Sequence, residues 1–109
     1  MHERTLTALK GSILKWEQIV AGTGFDKGAD NCPLCDLFYN KSWCNGCPVK
    51  TKTGMSCCDG TPYQDEFVRA KRRRRSALMS YDEHDAAAAE ADMHAAAKTE
   101  LAFLKGLLP

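Results

Sequence analysis

The chain has 109 residues, with 15 lysine and arginine against 14 aspartate and glutamate, for a formal net charge of +1. That length suits a single domain, 1–109, and the balanced charge excludes a global field that would mark an acidic or basic partner. Apolar residues make up 44%, but 14 of them are alanine and six are cysteine, and the large apolar side chains number only 28. So thin a core needs staples.

The opening "MHERTLTALKGSILKWEQIV" breaks every apolar run with charge, so no secretory signal is expected. The longest strictly apolar run, Ala86–Ala89, is far too short to span a bilayer, and no membrane partner is expected. The default compartment is then reducing and cytoplasmic. There, clustered cysteines read as metal ligands or redox groups before disulfides.

Residues 5–20 form the first expected helix. Leu6, Leu9, Ile13, Trp16 and Val20 recur at spacings of 3, 4, 3 and 4, a stripe for packing against a core. Glycines 22, 24 and 28 end it.

The segment 31–61 holds all six cysteines and shows neither helical nor strand periodicity. Turns and short strands organised by ligands are expected. "CPLC" and "CNGC" are two Cys-x-x-Cys knuckles, Cys32/Cys35 and Cys44/Cys47. The two-residue gap lets one tight turn present two thiolates to one ion, and two such turns complete a tetrahedral zinc site. Pro33 fixes φ early in the first turn, and Gly46 permits the positive φ of the second. Zinc binding would then supply folding free energy that the core lacks.

The eight-residue gap between knuckles is shorter than in common zinc ribbons, and Cys57 and Cys58 add two further thiols. Cys58 is the favoured extra ligand, because it lies just before the start of the next helix. The candidate set is Cys32, Cys35 and Cys47 with either Cys44 or Cys58, around one structural Zn2+. An iron–sulfur cluster is the alternative cofactor; "CNGCP" has the Cys-Pro of ferredoxin-type runs, without their compact series. Disulfides and dithiol redox chemistry stay open behind these. His2, His84 and His94 are isolated along the chain, and His84 and His94, on an expected helix, read as solvated.

A helix over 62–79 begins at "TPYQ", with Thr61 as N-cap, Pro62 at the first helical position and Gln64 completing a capping box. Its expected apolar face is Tyr63, Phe67, Ala70, Ala77 and Leu78. "RAKRRRR" within it places six cations in seven residues. Lys71, Arg72, Arg73, Arg74 and Arg75 are candidate nucleic-acid contacts, since arginine grips phosphate bidentately. The plainer reading is a solvated face paired with Asp82, Glu83, Asp85 and Glu90.

"SYDE" is a second capping box, Ser80 with Glu83, and marks a break before an alanine-rich helix over 82–107. Met93, Ala97, Leu101, Leu104 and Leu108 stripe that helix at spacings of 4, 4, 3 and 4. It packs within the chain or pairs with a second copy as a homodimer.

"ALKGSILKWEQIVAG", "DNCPLC", "CNGCPV", "CCDGTPY" and "ELAFLKGLLP" together resemble small, uncharacterised cysteine-rich proteins encoded by bacteriophages and prophages. The resemblance implies a bacterial host cytoplasm and supports Cys58 over Cys57 as a ligand. It does not include the basic run. The expected protein is mainly α: about three helices, with an irregular zinc-knuckle segment between the first two. No catalytic set is visible, and "GTGFDKG" is not a phosphate loop. A non-enzymatic binding module acting on nucleic acid or a host protein is the first expectation. A structural or oligomeric protein using the last helix is the second, and an iron–sulfur redox protein the third.

Overall fold

The computed structural model describes residues 1–39, 42–55 and 58–109. The protein is mainly helical, and no strand occurs among the described residues. The short strands expected within 31–61 are therefore not found there. In their place stand a 3-10 turn at Gly28–Asn31, a π-helical turn at Cys35–Tyr39 and a short helix. Without alternating apolar residues, nothing in this segment favours one buried sheet face.

Among the described residues the α-helices are, in chain order, α1 (Glu3–Ala21), α2 (Pro48–Thr53), α3 (Val68–Met79) and α4 (Glu83–Lys105). No helix is long and apolar enough to cross a membrane among the described residues. His2 caps α1 by accepting from the Arg4 N–H at 3.1 Å. Gly22 ends α1 in the left-handed region, and its N–H turns back to the carbonyls of the last turn.

Thr61 begins the third helical stretch as expected: its hydroxyl accepts from the Gln64 N–H at 3.4 Å. A π-helical turn at Tyr63–Phe67 then leads into α3. The break before α4 is real, but its cap is Asp82, not Ser80. Asp82 accepts from the Asp85 N–H at 2.9 Å, while the Ser80 hydroxyl donates back to Ser76. Tyr81 takes a left-handed φ of 57° at the turn. Ser80 still belongs to the end of α3, where its hydroxyl is spent on the Ser76 carbonyl, and this leaves the cap of α4 to Asp82.

α3 and α4 form a hairpin, and α1 packs across α4. The core joins Leu9, Ile13 and Trp16 of α1 to Leu34, Val49, Phe67, Ala97 and Leu104. Trp16 is the hub, meeting Phe67 edge-on at 4.9 Å and Tyr63 edge-on at 5.5 Å. On α4, Met93 and Leu101 also pack against this core, so much of the predicted stripe is used within the chain. Leu78 is instead exposed, because α3 turns Ala70 and Ala77 inward.

Candidate metal centre

The first knuckle docks on α1. Leu34, between Cys32 and Cys35, is buried in the core, and its N–H donates to the buried Ser12 hydroxyl at 3.4 Å. Pro33 lies so close to Gly11 that a Cβ there would sit 3.0 Å from the proline ring. A glycine in mid-helix thus lets the knuckle approach α1. The Cys35 N–H donates to Cys32 Sγ at 3.2 Å, the backbone-to-sulfur bond that suits a thiolate knuckle.

The second knuckle is sharper. Gly46 has the expected positive φ, at 90°, and Trp43 and Cys44 adopt φ of 53° and 69°. Two consecutive non-glycine residues in the left-handed region are costly, about 1–2 kcal/mol each. Such strain persists only where surroundings dictate it, typically at a functional site. Cys44 and Cys47 are both buried, and Cys47 leads directly into α2.

Cys58 enters from a third segment. Its carbonyl accepts from both the Thr61 N–H at 3.3 Å and the Thr61 hydroxyl at 2.6 Å. The cap of the third helical stretch therefore also fixes Cys58. Cys57 lies outside the described residues.

Cys32, Cys35, Cys44, Cys47 and Cys58 all line one half-open cavity of about 200 Å³, and all five are free thiols. Glu100 of α4 lines the same cavity, with 4% of its surface exposed, and its Oε2 has no hydrogen-bond partner among the described residues. Sequence reading missed Glu100. The signal was present: it lies three residues after Ala97 and four before Leu104, on the apolar stripe itself.

The thiols oppose one another's ionisation. A hydrogen bond from Cys35 holds Cys32 down to about 6, and the same bond pushes Cys35 far up. Burial pushes Cys58 up to about 12, with Cys32 adding to the effect, and pushes Cys47 up against the backbone of Val49 and Lys50. Burial also lifts Glu100 to about 8, against the backbone of Tyr63, with Cys32 adding to the rise.

A set of thiolates with one carboxylate fits zinc in kind. As the chain stands, however, no three His, Cys, Asp or Glu side chains among the described residues are gathered tightly enough to hold an ion. Zinc would require the knuckles to close inward. The histidines are elsewhere; His94 meets the Val20 carbonyl at 3.1 Å.

Beside the cavity, Asp26 is a buried node with a side chain only 2% exposed. It accepts from Lys15 at 2.8 Å, from the Gly28 N–H at 2.9 Å and from the Tyr63 hydroxyl at 2.9 Å. Burial would raise the Asp26 pKa, but the Lys15 bond and charge outweigh it and hold the carboxyl below its usual range. The "Asp-x-Gly" spacing is an Asx-turn signal that sequence reading passed over.

The basic run divides. Lys71 turns to Asp26, at 3.6 Å from Oδ2, and Arg73 bridges Asp85 and Asp92 across the hairpin. Arg74 reaches Glu90 only at 4.0 Å. Arg72 and Arg75 make no ion pair among the described residues. They share an outer groove of α3 with Lys71, Arg74, Leu78 and Met79.

The chain matches no family model, no curated protein and no solved structure.

Proposed function

We propose that the protein is a small metal-stapled binding module, with one structural zinc held by its cysteines. The observation that carries this reading is that five free thiols, from three segments, line one half-open cavity. Cys32, Cys35 and Cys47 with Cys44 or Cys58 would hold the ion. A closed thiolate shell leaves no position for a substrate, so the metal would act on folding and not on chemistry. The resemblance to phage-encoded cysteine-rich proteins supplies the setting, a reducing bacterial cytoplasm in which thiols persist.

The staple would steady α3, whose outer groove offers Arg72, Arg74 and Arg75 to a polyanion. Nucleic-acid backbone is the proposed partner, because guanidinium and phosphate match in charge and geometry. The Arg72→Ala/Arg75→Ala double variant should lower the salt slope of DNA binding by about 2, roughly one unit per lost phosphate contact. An unchanged slope would remove nucleic acid and leave an acidic protein surface as the partner to seek.

An iron–sulfur cluster is the second reading, favoured by the cavity's size. Zinc leaves no void among its sulfur ligands, whereas a multi-iron cluster has a body of its own to fill one. Elemental analysis with a visible spectrum, on protein purified without a His-tag, separates the two. Colourless protein with one zinc per chain supports the staple, and coloured protein with iron replaces it.

A further inference from the structure

We infer that Glu100 is a donor to the ion in the cysteine cavity, so that the ion ties α4 to the knuckles. This rests on the metal-binding reading above and adds a ligand of a different chemical class from a different part of the chain.

Glu100 sits on the buried face of α4, between Ala97 and Leu104, where an apolar side chain is the ordinary occupant. A buried carboxylate is tolerated when it is paired, or when it coordinates a metal. Its Oε2 is shielded from water and has no hydrogen-bond partner among the described residues. It lines the cavity that the five thiols line.

Among the described residues Lys15 is the one lysine or arginine at that cavity, and its ammonium is engaged by Asp26 at 2.8 Å and by the Gly28 carbonyl at 3.5 Å. The remaining ionisable neighbours are thiols and the Tyr63 phenol, which carry no positive charge in either state. A cation bound by the thiolates would supply the partner that Oε2 lacks among the described residues. Zinc accepts carboxylate oxygen beside sulfur, at about 2.0–2.2 Å and 2.3 Å. A hard oxygen in the shell also disfavours copper(I), which selects soft sulfur donors.

The donor changes what the ion does. The cysteines alone join only residues 32–58. Glu100 brings in the longest helix, so that metal occupancy would lock α4, and the α3 hairpin with it, onto α1.

Zinc K-edge X-ray absorption on the zinc-loaded full chain reads the ligands directly. The expected spectrum has an oxygen scatterer at about 2.0 Å beside sulfur at about 2.3 Å. Glu100→Leu, close in size but without a donor, should give a sulfur-only shell. Its zinc affinity, by chelator competition, should fall at least about tenfold. A sulfur-only shell in the parent would overturn the inference and leave the zinc staple standing. So would an oxygen scatterer and an affinity both unchanged in Glu100→Leu. Should that variant not fold, Glu100→Asp keeps the carboxylate but shortens it, and unchanged affinity there counts against a ligand role. A parent chain that takes up no zinc removes the staple and the inference together.

Discussion

At one end of the molecule, α1 and the knuckles bury Leu9, Ile13, Trp16, Leu34 and Phe67 around a thiol-lined cavity. At the other, α3 and α4 bury Ala70, Ala77, Ala86 and Ala89 in their hairpin, with arginine–aspartate pairs across its surface. The first end has large side chains, but a segment with little regular structure. The second has regular helices of high propensity, but little apolar area to bury. Each end lacks what the other has, and α4 runs through both. A staple at the cysteine end should therefore matter far more to that end than to the hairpin.

Metal removal tests that difference most strongly. Structural zinc in small domains supplies about 10–16 kcal/mol of apparent binding free energy. Chelator with reductant should abolish the Trp16 environment, seen as a red shift in fluorescence and loss of the near-ultraviolet circular dichroism. Hydrogen exchange should show residues 32–67 open first, while amides of 83–105 keep part of their protection. α4, at 23 residues, exceeds the length below which isolated helices fail. Simultaneous loss at both ends would show that the hairpin has no stability of its own.

Asp26→Ala comes next. It strands Lys15, whose side chain is only 9% exposed, and removes the tie from the 22–31 loop to Tyr63. Breaking a buried pair costs about 3–5 kcal/mol. The same node predicts an acid limb. The folded pKa of Asp26 is lowered from 3.8, so its contribution is fully present above that value and disappears as pH falls through the lower, folded one. Thermal melts between pH 5 and 2 should lose stability more steeply for the parent than for Asp26→Asn. Parallel slopes would mean that the node is not the titrating element.

The hairpin should respond to volume and not to metal. Ala89 is 0% exposed, so Ala89→Leu forces α3 and α4 apart. Overpacking of this kind costs about 1–3 kcal/mol. The loss should be the same size with and without bound metal. A loss that depends on metal would show that the ion also braces the α3–α4 seam, beyond the docking of the hairpin onto α1 that the Glu100 inference requires.

The regular half of the fold was legible because its forces are local. Periodicity placed α1 and α4 to within a few residues, and Thr61 marked its helix start, since caps and stripes are written in consecutive residues. Short strands were expected in 31–61 because cysteines carry no period, and the turns found there depend on contacts with α1 and α4. Gly46 could be read, since a positive φ belongs to the residue itself. Trp43 and Cys44 could not, because their φ values are imposed by surroundings. Asp26 and Glu100 were passed over for one reason: a carboxylate is presumed solvated until the partner elements are seen. The cysteine spacing named the thiols but could not reveal that α4, some 50 residues on, reaches the same cavity.

Arg73 gives the smallest effect and the sharpest test of how the basic run is used. It grips Asp85 through Nε and Nη2, and its Nη1 meets Asp92 at 2.8 Å. The hydrogen bond from Arg73, with its charge adding to the effect, holds Asp85 below its usual range. All three side chains are exposed, so solvent screens the pairing and little stability rests on it. Arg73→Ala should lower Tm slightly at low salt and hardly at all in 1 M salt, where the Debye length is about 3 Å. The same variant should leave the salt slope of DNA binding nearly unchanged, because this guanidinium is already committed across the hairpin. Arg72→Ala/Arg75→Ala should do the reverse, sparing Tm and lowering the slope. If Arg73→Ala lowers the slope as much as that pair does, the acidic residues release Arg73 on binding. The division of the basic run into structural and exposed cations would then hold only for the free protein.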